Sequence, residues 1–187
     1  MLVNMRRQPR ATSATINLPF NLGNITYDLS EKERVLAWQL YVQLRTRKAA
    51  LAFDEEYDVV AEVYDSLHDL FAITRDLLMN LPLQEVEKQE SVADLMLRVQ
   101  NDGLRPHLTK WQADFRRWWA QALNDPAYNE KRPQELQRSY PHYQALVEDL
   151  KTTNLELNKL AEALLIIARA RQEEAAEMRP QASPPTE

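Results

Sequence analysis

Glycine is almost absent from this chain, which has only Gly23 and Gly103 among its 187 residues. Glycine supplies the positive-φ turns of sheet-rich folds and the close backbone approach of phosphate-binding loops. Its scarcity argues against a phosphate loop, a Rossmann turn and a sheet that needs many tight turns. The chain is also rich in Leu, Ala, Glu, Gln and Arg, which favour helix. We therefore predict an all-α fold.

The chain contains no cysteine, its formal net charge is −5, and 44% of its residues are apolar. The lack of cysteine excludes disulfides, thiolate zinc sites, iron–sulfur clusters and a cysteine nucleophile. The apolar fraction is enough for a sizeable core. Because the chain as a whole is not basic, any contact with nucleic acid would need a local basic patch.

Apolar runs and the N-terminal residues indicate where the chain resides. No run of about 18 apolar residues is present, so we predict no membrane-spanning helix. Residues 1–13 carry paired arginines but no apolar segment behind them, which is not the pattern of a secretory signal. We expect a cytoplasmic protein.

Residues 15–28 alternate between apolar and polar on both sides of an Asn-Leu-Gly-Asn turn. The apolar positions are Ile16, Leu18 and Phe20 before the turn and Ile25, Tyr27 and Leu29 after it. This alternation predicts a β-hairpin. Because an isolated hairpin is marginally stable in water, we expect it to lie against the helices or to extend a partner's sheet.

Capping and breaking residues divide the rest of the chain into helices. Ser30 and Glu33 form a capping box, and Ser91 can cap a later helix. Gly103 should end or bend that later helix, and Pro106 suits the first turn of the next. We predict helices over residues 31–53, 55–81, 92–102, 105–123 and 142–178.

These elements are expected to form one domain over residues 14–178. We predict a four- to five-helix antiparallel bundle with an N-terminal β-hairpin and a long C-terminal helix, which begins near Pro133 or at His142. The basic tail 1–13 and the proline-rich tail 179–187 are predicted to be disordered.

Residues 104–119, LRPHLTKWQADFRRWW, hold three of the chain's four tryptophans. On a helix, the apolar side chains fall within an arc of roughly 100°. They are Leu104, Leu108, Trp111, Phe115, Trp118 and Trp119. A platform for single-stranded nucleic acid needs exposed aromatics beside a basic track, whereas here most of the charge is segregated from the rings. We expect the tryptophans to be sealed among packed helices.

The predicted second helix has a broad apolar face and, opposite it, an acidic stripe. The acidic residues are Asp58, Glu62, Asp65, Asp69 and Asp76. Such a stripe is either a solvated face or an electrostatic dock for a basic partner.

No catalytic pattern in the sequence is convincing. Asp65, His68 and Asp69 could bring metal ligands to adjacent turns, but the paired Glu-x-x-His motifs of helical metal sites are missing. Arg138 and His142 resemble the Arg–His pair of HEPN-type helical nucleases, with a spacing one residue too short. We predict no metal, no cofactor and no enzymatic activity.

Five basic residues border apolar faces of the predicted helices. They are Arg45, Arg47, Arg75, Arg105 and Lys110. If several converge, they can bind a phosphate or a carboxylate. The alternative is that their stems lie over apolar surface while their charged ends reach water or pair with carboxylates.

The predicted last helix carries leucines at the alternating spacing of a coiled-coil seam. At ~36 residues it spans roughly 54 Å, against about 40 Å for the second helix. The excess either extends a core helix or packs on another chain through residues 157–171. The candidate docking residues are Leu157, Leu160, Leu164, Leu165, Ile166 and Ile167. We favour docking of a protein partner or self-association through this helix.

Three segments are similar to an uncharacterised bacterial helical family in which a short hairpin precedes them. They are AWQLYVQLRTR (37–47), SLHDLFAITR (66–75) and LRPHLTKW (104–111). The resemblance covers residues 15–115, and such families occur beside defence and conflict genes. It implies a cytosolic component of a bacterial multi-gene system.

The sequence thus predicts a non-catalytic helical adaptor or small subunit that mediates protein–protein assembly, in line with bacterial antiphage defence. The alternative is a module that binds nucleic acid or an anionic nucleotide through the five basic residues, similar to the small helical subunits of CRISPR effector complexes. A third reading is a helical ribonuclease that depends on His142.

Overall fold

A computed structural model describes residues 13–28, 30–86 and 90–170 of the chain. These residues are predominantly helical, which confirms the predicted all-α character. The predicted tails lie outside them, except that Ser13 is the first residue of a strand. Residues 171–178, the end of the predicted last helix, also lie outside the described part.

Two short strands, β1 (Ser13–Asn17) and β2 (Asn24–Asp28), pair antiparallel at the start of the described chain. The loop between them is closed by the N–H of Leu18, which donates to the carbonyl of Gly23 over 2.7 Å. Gly23 adopts a φ of +86°, a conformation that glycine reaches without steric cost.

The loop between the strands is tied to the helices by two long-range hydrogen bonds. The N–H of Phe20 donates to Oε2 of Glu156 over 2.5 Å, and Arg98 Nη2 donates to the carbonyl of Leu22 over 2.8 Å. Ile16 is buried in the helical core. The strands are thereby anchored to the helices, which an isolated pair of strands would need for stability.

Helix α1 (Glu31–Thr46) begins with the predicted capping box of Ser30 and Glu33. It ends at Thr46, earlier than the predicted 53, and a single 3₁₀ turn, Lys48–Ala50, follows. The carbonyls of Ala49 and Ala50 accept hydrogen bonds from the amides of Asn154 and Asn158, which come from the far end of the chain. These bonds satisfy carbonyls that a longer α1 would have paired within the helix.

Helix α2 (Val60–Met79) starts five residues later than predicted. The buried side chain of Gln137 accepts a hydrogen bond from the N–H of Val60 and donates one to the carbonyl of Asp58, both over 2.9 Å. This distant amide fixes the start of α2, in the role that a local N-cap side chain usually has.

A continuous run of helix occupies the middle of the chain after the short α3 (Leu83–Val86). Helix α4 (Val92–Arg98) passes through a π-helical segment, Val99–Leu104, into α5 (Arg105–Ala122). Gly103, predicted to end or bend the helix, lies inside this segment. The ring of Phe20 covers it so closely that a Cβ atom there would lie 2.7 Å from the ring.

The last elements are a 3₁₀ turn (Pro126–Tyr128), α6 (Pro133–Gln137) and α7 (Tyr143–Arg169). The sequence offered two starting points for the last helix, and a separate helix begins at each: α6 at Pro133 and α7 directly after His142. Helix α7 packs along α1 and carries the largest share of the core on its buried face.

Residues that come later along α1 and its following turn contact residues that come earlier in α7. Ala49 and Ala50, in the 3₁₀ turn after α1, contact Asn154 and Asn158, whereas Arg45, within α1, contacts Asn158 and also Glu162, one turn later in α7. The two helices are therefore antiparallel neighbours.

The aromatic segment of α5 packs into the core, as predicted. Leu104, Trp111 and Phe115 are buried, and Leu108, Trp118 and Trp119 are partly buried against the same core. The ring of Phe115 lies 5.3 Å from that of Tyr140 and 5.8 Å from that of Trp119. The expectation that every tryptophan is sealed is wrong for Trp38 of α1, which is 52% exposed.

Within residues 13–28, 30–86 and 90–170, none of the helices combines the length and the apolar character needed to cross a bilayer.

Candidate functional site

The outer face of α1 carries an exposed apolar seam. Val35, Trp38 and Val42 are 48%, 52% and 36% exposed, and they are spaced by three and four residues on one side of the helix. Single exposed apolar residues are normal, but a contiguous patch marks an interaction surface. We call these three residues together with Glu31 and Arg45, at the two ends of the same row, the α1 seam.

The sequence produces this seam because α1 has more apolar residues than one buried face requires. Leu36, Leu40 and Leu44 point into the core and are almost fully buried. The remaining large apolar side chains must then face outward, since a helix places residues three and four apart on one side.

Helix α7 borders the seam on one side. Arg45 Nη1 donates to Asn158 Oδ1 over 3.3 Å and lies 3.9 Å from Glu162 Oε1. Ile166 follows Glu162 by one turn, and Val42 precedes Arg45 by one turn. Because the helices are antiparallel, both residues lie on the same side of the Arg45–Glu162 contact, and Ile166, 56% exposed, extends the apolar surface.

An open groove borders the seam on the other side. It lies between α1 and the end of α2 and has a volume of about 510 Å³. Its apolar lining residues include Val35, Leu36, Leu77 and Leu81. The seam is therefore continuous with further apolar surface. This surface has the mixture of an apolar centre and a polar rim that protein interfaces show.

The Trp38 side chain has a fixed neighbour. Its ring stacks on that of Tyr41, with ring centres 5.5 Å apart and an angle of 28° between the planes. Tyr41 is itself partly buried against the core. A large aromatic side chain held by a stacked partner loses little conformational entropy on binding, which is why Trp is enriched among the residues that dominate interface energetics.

Most of the docking residues predicted on the last helix are not on the surface. Leu157, Leu160, Leu164 and Ile167 have no exposed area. They pack within the core because α1 lies along this face of α7, so a partner docking on the folded chain cannot contact them. Of the six predicted residues, Leu165 is partly buried and Ile166 is exposed.

Three of the five basic residues proposed as anion or nucleic-acid contacts have partners within the chain, and these partners lie in different places. Arg45 contacts α7, and Arg47 pairs with Asp69 of α2 at 3.2 Å. Lys110 Nζ lies 4.5 Å from the ring centre of Trp111. Arg75 and Arg105 are exposed on α2 and α5. For three of the five, the observed contacts are intrachain ones, as the alternative interpretation expected.

Four of the five residues of the predicted acidic stripe are paired within the chain, and one of them, Asp58, lies just before α2 and not on it. Lys48 contacts Asp58 and Glu62, and Arg116 Nη2 lies 2.8 Å from Asp65 Oδ1. Asp69 holds Arg47 as described above. These partners lower the net charge that the stripe could offer to a basic protein.

A buried polar cluster joins α2, α5 and α7. His107 Nδ1 lies 2.7 Å from Asp149 Oδ2, and Trp111 Nε1 donates to the same oxygen over 2.8 Å. The hydroxyl of Tyr64 lies 3.4 Å from the other imidazole nitrogen. The contacts fit a neutral imidazole that donates to Asp149 and accepts from Tyr64.

Burial and hydrogen bonds set the charges of this cluster. Burial lowers the pKa of His107, and Asp149 opposes that effect only in part. Burial tends to raise the pKa of Asp149, but the hydrogen bonds from His107 and Trp111 outweigh it, so the pKa of Asp149 is lowered. Near neutral pH the cluster is therefore a neutral histidine beside an ionised aspartate.

A cleft of about 220 Å³ lies beside the cluster, but its polar groups are already engaged. Thr153 donates to the carbonyl of Asp149, and Glu156 accepts from Phe20 and Lys159. The imidazole of His107 is almost fully buried. The cluster is built to hold three helices together, and we do not assign it a reaction.

The other candidate chemistries gain no support from the side chains that are described. Among them, no group of three or more His, Asp and Glu residues could hold a metal ion, Asp65, His68 and Asp69 included. Arg138 donates to the carbonyl of Glu55, and the His142 ring packs edge-on against Tyr140.

Comparison of the chain with protein-family models, with curated proteins and with solved structures gives no significant match. The resemblance to a defence-associated bacterial family stays a prediction.

The α1 seam was not identified from the sequence, although a signal was present. Residues 35–44 are apolar at eight of ten positions, which is more than one face of a helix can hold. Such an excess indicates either burial on all sides or a second, outward apolar face.

Proposed function

We propose that the chain is a non-catalytic helical adaptor or small subunit that mediates protein–protein assembly, and that it binds through the outer face of α1. The observation that carries this proposal is the exposed seam of Val35, Trp38 and Val42, continued by Ile166 of α7. Its centre is an aromatic side chain with a stacked neighbour, and charged residues lie at its ends.

The chemistry of this face suits a protein better than a nucleic acid. A nucleic-acid surface needs a track of basic groups that neutralises successive phosphates. The seam has a single arginine, Arg45, which lies beside Glu162. An apolar seam instead favours a partner that presents its own apolar side chains.

The proposal is tested by affinity capture from cells with the wild-type chain, Trp38→Ala and Leu123→Ala as baits. Leu123 is a matched control because it is 54% exposed but lies after α5, away from the seam. We expect a protein that the wild type and Leu123→Ala retain and that Trp38→Ala loses. Deletion of residues 157–178 is unsuitable, because it removes core side chains.

Direct binding to the purified partner is then measured by calorimetry at several temperatures and salt concentrations. Burial of the seam predicts a negative heat-capacity change and weak dependence on salt. Binding to nucleic acid that weakens steeply with salt and is unaffected by Trp38→Ala would contradict the proposal and support the alternative.

A further inference from the structure

The α1 seam has a charge pattern that is complementary to itself. Reading along it gives Glu31, Val35, Trp38, Val42 and Arg45, with steps of four, three, four and three residues. These steps are those of the a and d positions of a coiled coil, the positions through which helices pair. Its N-terminal residue is a glutamate, its centre is apolar and its C-terminal residue is an arginine; each charged residue also has an oppositely charged neighbour in its own chain, Arg34 for Glu31 and Glu162 for Arg45.

We propose that the partner of this seam is a second copy of the chain, bound antiparallel through α1. This inference rests on the proposed function, because it names what the same face binds. In a two-fold interface, if one residue contacts a second on the partner, the second contacts the first in return. A seam that pairs with itself must therefore be complementary when it is read backwards.

The α1 seam meets this condition about its central residue. When two copies align antiparallel with Trp38 at the two-fold axis, Trp38 packs beside its counterpart. Val35 of each copy then lies opposite Val42 of the other. Glu31 of each copy lies opposite Arg45 of the other, so both ends of the pair carry opposite charges. A parallel pairing would instead set glutamate against glutamate and arginine against arginine, which is repulsive.

The charged ends are accessible for such a contact. Glu31 and Arg45 are both exposed, although each also contacts residues of its own chain, Arg34 for Glu31 and Glu162 for Arg45. The carboxylate and the guanidinium each have more than one hydrogen-bonding atom, so each can share its contacts between its own chain and the partner copy. Ile166, beside the seam, would add apolar contact at the edge of the interface.

The seam limits how strong this association can be. Helix α1 has 16 residues and is about 24 Å long, so its outer face is small compared with permanent dimer interfaces. We therefore expect a reversible dimer whose population rises with protein concentration.

The first test is sedimentation velocity over a range of concentrations with the full-length wild type, Trp38→Ala and the matched control Leu123→Ala. We expect the wild type and the control to dimerise alike. Trp38→Ala should raise the dimer dissociation constant at least about tenfold. Thermal melts at a concentration where all three are monomeric check that the variants are folded.

Charge reversal tests the antiparallel orientation. Glu31→Lys and Arg45→Glu should each weaken the dimer, because each places like charges opposite one another. The double variant Glu31→Lys/Arg45→Glu should recover much of the lost affinity. Within each chain, the double variant has both of the like-charge contacts that the single variants introduce, one with Arg34 and one with Glu162. Recovery therefore reports contact between copies and not a change of fold.

Cross-linking locates the axis. The chain has no cysteine, so Gln39→Cys introduces a single thiol next to the central Trp38. A short bismaleimide should link two copies at this position and should fail to link them through Leu123→Cys. Efficient linking through residue 123 and none through residue 39 would overturn the proposal.

The outcomes separate this inference from the proposed function. A wild type that stays monomeric at all concentrations while it binds another protein in a Trp38-dependent way overturns self-association and leaves the proposed function intact. Dimers that Trp38→Ala leaves unchanged overturn self-association through the seam.

Discussion

His107 and Asp149 are 42 positions apart in the chain, yet Nδ1 of the histidine lies 2.7 Å from Oδ2 of the aspartate. Trp111 Nε1 shares that oxygen, and the hydroxyl of Tyr64 approaches the other side of the imidazole. One carboxylate of α7 therefore satisfies two buried donors of α5. The arrangement couples the packing of α2, α5 and α7.

Asp149→Ala should destabilise the fold by about 2–4 kcal/mol, because it leaves two buried donors without a partner. The donors are His107 Nδ1 and Trp111 Nε1. Urea unfolding followed by circular dichroism gives the free energy of unfolding. Glu148→Ala, an exposed neighbour on α7, is the control and should change it by less than about 0.5 kcal/mol. Equal effects of the two substitutions would contradict the role assigned to Asp149.

Stability should fall as the pH falls below about 6.5, and His107 should account for part of the slope. Burial lowers the pKa of His107 in the folded chain, so below that pH the unfolded chain binds a proton that the folded chain does not. The slope from this group approaches about 1.4 kcal/mol per pH unit. The lowered pKa of Asp149 adds a further loss below about pH 4.

The measurement is urea unfolding of the wild type and His107→Gln at pH 7.5, 6.5 and 5.5. The difference in free energy of unfolding between the two proteins should shrink as the pH falls, because only the wild type loses the contribution of a neutral buried histidine. A difference that is constant over this range would show that His107 titrates alike in both states.

Gly103→Ala should be destabilising only while Phe20 is present. A Cβ atom at residue 103 would lie 2.7 Å from the ring of Phe20, although alanine is otherwise the better helix former by about 1 kcal/mol. In a Phe20→Ala background we expect the same substitution to be stabilising. The four free energies of unfolding form a double-mutant cycle. Additive effects would mean that the ring does not need glycine beneath it.

Iodide should quench mainly one of the four tryptophans. Trp111 is buried and Trp118 and Trp119 are partly buried, whereas Trp38 is half exposed. We expect Trp38→Phe to remove most of the accessible fraction in a Stern–Volmer plot, measured at a concentration where the chain is monomeric. Trp118→Phe serves as the comparison. If it removes as much, the aromatic segment of α5 is open to solvent.

Local sequence was sufficient where one segment carries the whole signal. The capping box of Ser30 and Glu33 predicted the start of α1, and the apolar arc that includes Trp111 and Phe115 predicted which side of α5 is buried. In both cases the decisive residues lie within a few turns of one another, so helical geometry alone relates them.

Helix boundaries that depend on distant side chains were not predictable. The start of α2 is fixed by the side chain of Gln137. The side-chain amide of Asn154 donates a hydrogen bond to the carbonyl of Ala49, in the turn after α1. The sequence around residues 46–60 does not indicate that these distant side chains pair with its backbone. Because these hydrogen bonds come from distant residues, the local sequence placed the end of α1 seven residues too late and the start of α2 five residues too early.

The interaction surface could be predicted only in part, for a related reason. The leucine seam of α7 and the seam of α1 both have coiled-coil spacing, and the sequence does not say which one pairs within the chain. In the structure Leu157 and Leu164 pack against the rest of the core, so α7 uses its seam internally and Trp38 remains outside. Ile166 was among the predicted docking residues, and it is exposed because it lies off the α7 seam and makes that helix apolar on a second side.

The π-helical segment makes the junction between α4 and α5 tolerant of one change in chain length. The N–H of Arg105 reaches back to the carbonyl of Gln100, five residues away, so this turn contains one residue more than an α-helical turn. Deleting a single residue between 99 and 104 would leave an ordinary α-helical turn and keep Trp111 and Phe115 facing the interior. Deleting a residue in the middle of α5 would instead rotate everything after it by about 100° about the helix axis. Homologous chains should therefore show single-residue gaps in the π-helical segment more readily than within α5.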